Sequence, residues 1–258
     1  MQFFCSFFVS GFFLFLSFSG FSQNKVEILT VPAGDKFTEL NVGGTSILPS
    51  GRFVKPAGEY VRISDGPYGL AISPDGKKSV TLHNGVITII DLQTLVNVRV
   101  PSYDKKIKSP LIHGSFLGVA FSKDSKSVYL SGGDDGSVII YDIQTLTKLD
   151  SISLNGAVGG IDYQDSFTSD LVLNESKNEL LVLDRGNFRM VRIDINTKKI
   201  TASIKVGRQP FGLRLSPDNK TAFVANVGLY SYPLITGTTP ANFDSIMISQ
   251  FPYGDNTK

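Results

Sequence analysis

The stretch Pro67–Lys78 reads P-Y-G-L-A-I-S-P-D-G-K-K, and Pro210–Lys220 repeats it as P-F-G-L-R-L-S-P-D-N-K. A looser copy is Leu117–Lys126, L-G-V-A-F-S-K-D-S-K, and a worn one is Ser169–Lys177, S-D-L-V-L-N-E-S-K. Aligned on one position, the copies place Ser73, Ser122, Asn174 and Ser216 at spacings of 49, 52 and 42 residues. Repetition at such a period is the mark of stacked supersecondary units. A chain built this way buries apolar surface by laying one unit on the next.

Each copy has the same physical content. Leu70 and Ile72, Val119 and Phe121, Leu171 and Leu173, and Leu213 and Leu215 are apolar at alternate positions, the period of a strand. Pro74-Asp75-Gly76 then supplies a fixed φ, a side chain that bonds its own backbone, and a residue free to take φ > 0. Asp124-Ser125 and Asp218-Asn219 stand at the same place. Second strands are expected at Ser79–Leu82, Ser127–Ser131, Glu179–Leu183 and Thr221–Ala225.

A further signature follows inside the repeat: I-T-I-I-D-L-Q-T at Ile87–Thr94, I-I-Y-D-I-Q-T at Ile139–Thr145 and V-R-I-D-I-N-T at Val191–Thr197. Asp91, Asp142 and Asp194 are placed to accept bonds from the amides just after them, with Thr94, Thr145 and Thr197 closing the turn. Fourth strands leave at Val96–Val100, Lys148–Ile152 and Lys199–Val206. Four strands joined by short turns make a propeller blade. The expected fold is therefore all-β, a β-propeller of four-stranded antiparallel blades. About four blades are present, in an incomplete, open arrangement; the alternatives are a small ring closed by Thr45–Ile63 folding back onto blade four and, at this period, a solenoid.

These residues resemble the YVTN-repeat (YncE-type) β-propeller family, whose blades read roughly P-x-G-x-A-x-S-P-D-G-K, then Y-V-[TA]-N, then V-x-V-I-D. Phe223-Val224-Ala225-Asn226 is the best match to the name-giving tetrapeptide. The resemblance runs from about Gly66 to Leu234, and departs in the third blade, where Asn174-Glu175-Ser176 replaces the Pro-containing turn. WD-type repeats match poorly, since the chain has no Trp. The runs I-L-P-S-G-R-F-V-K-P-A-G, A-N-V-G-L-Y-S-Y-P-L-I and F-P-Y-G resemble a subgroup in which a secreted propeller precedes an alkaline-phosphatase-like phosphoesterase domain. That likeness implies missing C-terminal blades and a catalytic domain beyond them, and carries no phosphatase residue onto this chain.

The N-terminus is a different material. Met1–Ser22 has no charged side chain, holds nine of the 19 phenylalanines, and ends in the small-x-small triplet Gly20-Phe21-Ser22 before Gln23-Asn24-Lys25. This is expected to be a signal peptide of a secreted or periplasmic protein, leaving no stable membrane span after cleavage; an uncleaved anchor is the alternative. Cys5 is the only cysteine and lies within that segment, so the mature chain offers no disulfide, thiol catalysis or Cys-metal site. Net charge is +2 with scattered charges, and no basic stripe argues for nucleic acid.

In order, residues 23–258 form the partial propeller. Thr45–Ser64 is assigned to closing strands, with a strand at Tyr60–Ile63 and another near Val26–Leu29. Blades are expected at 66–103, 112–154 and 156–206, the last with an insertion around Tyr163–Thr168. A partial blade and loop occupy 207–258, with a short strand near Ile246–Ile248.

Loops entering first strands and loops joining second to third strands share one face of a propeller, and ligands favour loops on a rigid scaffold. On that face Tyr68, His83, His113, Asp134, Asp135, Asp184, Arg185 and Arg208 are the candidates. Each also has a plain structural role open to it. His83 precedes a turn at Asn84-Gly85, and Asp134-Asp135-Gly136 reads as a hairpin turn without calcium-loop spacing. His113 has no partner at zinc spacing. No nucleophile elbow, phosphate-cradling glycine loop or paired carboxylate is visible, so no catalytic, metal or cofactor residue is assigned. The expected function is a non-catalytic binding or scaffold module taking a small-molecule or protein ligand on the loop face. The alternative is a lactonase or sugar dehydrogenase, which would need polar residues on inner strands; only Asp162 and Asp170 stand out there.

Overall fold

The computed structural model describes residues 30–228 except Val42, His113 and Phe116. The expected signal peptide and the strands near Val26–Leu29 and Ile246–Ile248 lie outside the described residues. The chain divides into two units, Met1–Tyr60 and Val61–Lys258. In the first, β1 (Ser46–Ile47) and β2 (Phe53–Val54) pair antiparallel around a turn, and Glu39 bridges to Ile47. Tyr60 donates its hydroxyl to the Asn41 carbonyl at 2.8 Å. No helix occurs among the described residues.

The second unit is a succession of antiparallel sheets, an open propeller arrangement. Blade one is β3 (Gly69–Ile72), β4 (Lys78–Leu82), β5 (Ile87–Asp91) and β6 (Asn97–Val100). Blade two is β7 (Val119–Phe121), β8 (Ser127–Ser131), β9 (Ser137–Asp142) and β10 (Thr147–Ser153). A hairpin follows, β11 (Gly156–Val158) with β12 (Ile161–Tyr163). Blade three is β13 (Thr168–Asn174), β14 (Glu179–Asp184), β15 (Arg189–Asp194) and β16 (Lys199–Lys205). Among the described residues blade four has two strands, β17 (Arg208–Leu215) and β18 (Ala222–Gly228). The inner strands follow one another, β3 beside β7, β7 beside β13, and β13 beside β17. Tyr60–Ile63, expected as a strand, is irregular, and Asp162 sits on the hairpin instead of an inner strand.

The turns form as their residues require. Ser73 Oγ donates to Asp75 Oδ1 at 2.6 Å, and the same carboxylate accepts from the Lys77 amide at 3.0 Å. Ser122 with Asp124 and Ser216 with Asp218 repeat the geometry at 2.6 Å. In the worn copy the roles are exchanged: Ser176 Oγ donates back to Asn174 Oδ1 at 2.7 Å. The later turns are held by Asp91, Asp142 and Asp194, which accept from Thr94, Thr145 and Thr197 amides at 2.9, 2.8 and 2.7 Å. These hydrogen bonds favour the charged form and hold the Asp142 and Asp194 carboxyls below their ordinary range.

Between blades the packing follows one rule. The alternating apolar pair on a blade's inner strand faces the preceding blade, and the residue between them faces the next. Val119 and Phe121 share a core with Val80, Ile89 and the half-buried Ala71 of blade one. Leu171 packs with Tyr129 and Val138 of blade two, joined by Ala120 and Leu173. Leu213 packs with Leu181 and Leu183 of blade three, joined by Val172 and Leu215. Blade one differs at its front face. Where blade two has Val128, Leu130 and Ile139, blade one has Ser79, Thr81 and Thr88, all buried. Its Leu70 and Ile72, expected from their period as core, are 63% and 60% exposed, because no preceding blade covers them among the described residues.

Candidate functional site

Most of the loop-face candidates are held in local structure. His83 follows β4 and is buried; its Nε2 lies 2.6 Å from Thr81 Oγ1 and 3.0 Å from Thr88 Oγ1, and its Nδ1 lies 3.1 Å from the Asp65 carbonyl. A carbonyl only accepts, so Nδ1 carries the proton and Nε2 accepts from the hydroxyls. Burial lowers the tendency of this imidazole to charge. Asn84 and Gly85, at φ 50° and 88°, make the tight turn that follows. Asn84 Oδ1 reaches across to the Gly114 amide at 2.7 Å.

Asp134 and Asp135 are exposed in the turn before β9, where Ser137 Oγ donates to Asp135 Oδ2. Gly133 in the same turn has φ 63°, and a Cβ there would come within 2.3 Å of the Gly114 backbone. Asp184, by contrast, is fully buried at the end of β14. It accepts from Ser166 Oγ at 2.9 Å, the Phe167 amide at 3.0 Å and Arg189 Nε at 2.7 Å. Arg189 is also buried, donates to the Leu154 carbonyl at 2.5 Å, and stacks on Tyr163. Nothing in the repeat pattern marked Arg189; the one signal of such a pair is an arginine opening the third strand just after a turn Asp. Arg185 reaches Gln209 and lies over Phe167, and Arg208 lies over Phe188. His113 lies outside the described residues. The structure thus gathers these residues onto turns without converging them on one point, and no group of three His, Cys, Asp or Glu side chains suited to a metal occurs among the described residues.

Convergence occurs on the inner strands instead. A groove of about 400 Å³ is bordered by β3, β7 and β13, with Arg214 of β17. One wall is the exposed pair Leu70 and Ile72, and Tyr68, the loop-face candidate that borders this groove among the described residues, lies at its edge. Across it stands Asp170, 6% exposed, which accepts from the Leu171 amide at 2.9 Å and the Leu213 amide at 2.8 Å. Its Oδ2 also accepts from Arg214 Nη1 at 3.0 Å, and that nitrogen donates in turn to the Leu213 carbonyl at 2.6 Å. Burial pushes the Asp170 carboxyl above its ordinary range, against the pull of the Leu213 amide and Arg214. The Arg214 side chain stays 76% exposed. The alternation rule explains its position: Arg214 occupies the place of Ala71, Ala120 and Val172, the residue that faces the next blade.

No family model matches the chain, and no curated protein matches it. Among solved structures it is similar to Kuenenia stuttgartiensis hydrazine synthase, at 19% identity and a TM-score of 0.50, over 68% of this chain. The match spans 46% of that protein's chain, so the likeness is one of fold over less than half its length. A second similar structure is titled U3-55K, at 14% identity and a TM-score of 0.45, covering 58% of this chain and 42% of that one.

Proposed function

We propose that the chain is an exported propeller of the YVTN type that acts as a non-catalytic binding module, with the inner groove as its ligand site. The observation that carries this reading is the pairing of an exposed apolar wall, Leu70 and Ile72, with the anchored Arg214 across about 400 Å³. Small-molecule sites have this scale and this mixture of apolar surface with few polar groups. The neutral dye Nile red tests it: binding should be saturable at one site, and Ile72→Lys should abolish it. Ile72 is exposed, so melting should move by only about 2 °C. A dye signal untouched by Ile72→Lys would remove the groove as the site.

Two parts of the reading rest on sequence alone. Export is supported by the uncharged Phe-rich segment, and N-terminal sequencing of the exported protein should begin at Gln23 or close to it. The place in front of a phosphoesterase domain is supported by the runs I-L-P-S-G-R-F-V-K-P-A-G, A-N-V-G-L-Y-S-Y-P-L-I and F-P-Y-G. A metal-dependent phosphatase assay should find activity in a C-terminally lengthened chain and none in these 258 residues.

A further inference from the structure

The two walls of the groove differ in chemistry, and that difference selects a ligand. We propose that the groove takes an amphipathic carboxylate, its apolar body against Leu70 and Ile72 and its head on the guanidinium of Arg214. This rests on the groove being a binding site at all. Arg214 is already oriented to receive such a head. Its Nη1 is fixed between Asp170 Oδ2 and the Leu213 carbonyl, while Nε and Nη2 make no hydrogen bond among the described residues. A guanidinium fixed at one nitrogen, with its remaining donors open, presents a ready edge to a carboxylate. Asp170 accepts from two amides and from Nη1 of Arg214 alone, so it fixes the guanidinium at one nitrogen and leaves the other donors to the ligand.

Among the described residues the other charged one bordering the groove is Glu175. Arg214 stands level with Val172, three residues short of Glu175, so about 10 Å at strand rise separates a head at Arg214 from that carboxylate, roughly one screening length at physiological salt. Its repulsion of a carboxylate head at Arg214 is therefore screened to a fraction of its unscreened value, and screened further as salt is raised. The volume also bounds the body: about 400 Å³ suits a chain of some ten carbons and is far too small for another sheet.

The test displaces Nile red from the intact chain with decanoate, decanol and decyltrimethylammonium. Decanoate should bind about two- to fivefold more tightly than decanol, the range of a charge pair at an exposed site. That advantage should vanish in Arg214→Gln and shrink as salt is raised on the unmodified protein, which needs no variant to fold. Equal binding of all three, abolished by Ile72→Lys, would overturn the carboxylate and leave the groove as a site. Preference for the cation would overturn it too, by making Glu175 and Asp170 dominant. Absence of any saturable displacement would take the binding reading down with it.

Discussion

The guanidinium carbon of Arg189 lies 3.5 Å from the centre of the Tyr163 ring. The stack ties the β11–β12 hairpin to the third strand of blade three, and the Tyr163 hydroxyl accepts from Ser203 Oγ at 3.2 Å on the neighbouring strand. The same guanidinium pairs with buried Asp184, so one side chain joins the hairpin, β14 and the end of blade two.

Arg189→Met should therefore unfold far more easily. Removing one partner leaves the Asp184 carboxylate buried and unpaired, a loss of roughly 3–5 kcal/mol. Urea unfolding measures it. The double variant Asp184→Leu with Arg189→Met should recover part of the loss, since the stranded charge is then gone. A double variant no better than Arg189→Met would show that packing against Tyr163, and not charge, carries the effect.

His83 sets a pH dependence. Its folded pKa is lowered from 6.5 by burial, so the unfolded chain binds the proton more readily. Stability should then rise with pH across the window below 6.5 and be lost as the solution is acidified through it. In His83→Gln the slope in that window should flatten, and chemical denaturation between pH 5 and 7 reads it. A slope identical to that of the parent would assign it to other groups.

Asp142 accepts from the Gln144 and Thr145 amides at 2.7 and 2.8 Å. Asp142→Ala should cost roughly 0.5–2 kcal/mol, as loss of a comparable side-chain cap does, with Nile red binding unchanged. The carboxyl is held low, so its contribution is present above the ordinary carboxylate value of 3.8 and fades as pH falls through its folded value. Unchanged melting with lost binding would make it a ligand residue.

Gly133 has no room for a side chain. A methyl at φ 63° would press on the carbonyl of Gly114, across the gap between two loops. Gly133→Ala should destabilise by about 1–3 kcal/mol in calorimetry. Gly76, with φ 69° and open space around it, should lose less on the same change.

The sequence disclosed what is local. Strand β8 runs Ser127–Ser131 as the alternation predicts, and the Asp142 turn closes on Thr145 as its spacing predicts. Both depend on a few adjacent residues. What it hid depends on neighbours far along the chain. Leu70 and Val119 look alike in their repeats, yet one is exposed and the other buried, because burial belongs to the blade in front. Arg214 was visible only as a charged residue in an apolar strand; its meaning came from Asp170, 44 positions earlier. Asp184 and Arg189 are close in sequence, but their burial is imposed by Ser166, Leu154 and Tyr163.

Among the described residues blade two packs on blade one, blade three on blade two and blade four on blade three, three couplings in series. Cooperativity in such a line passes through nearest neighbours. Blades two and three are gripped from both sides, blade one and blade four from one side among the described residues. Amide exchange should accordingly be slowest in β8, β9, β14 and β15, and β18, hydrogen-bonded there to β17 alone, should fray first. Opening would then proceed inward from the two ends of the line, so a fragmenting force or protease would release this protein one blade at a time.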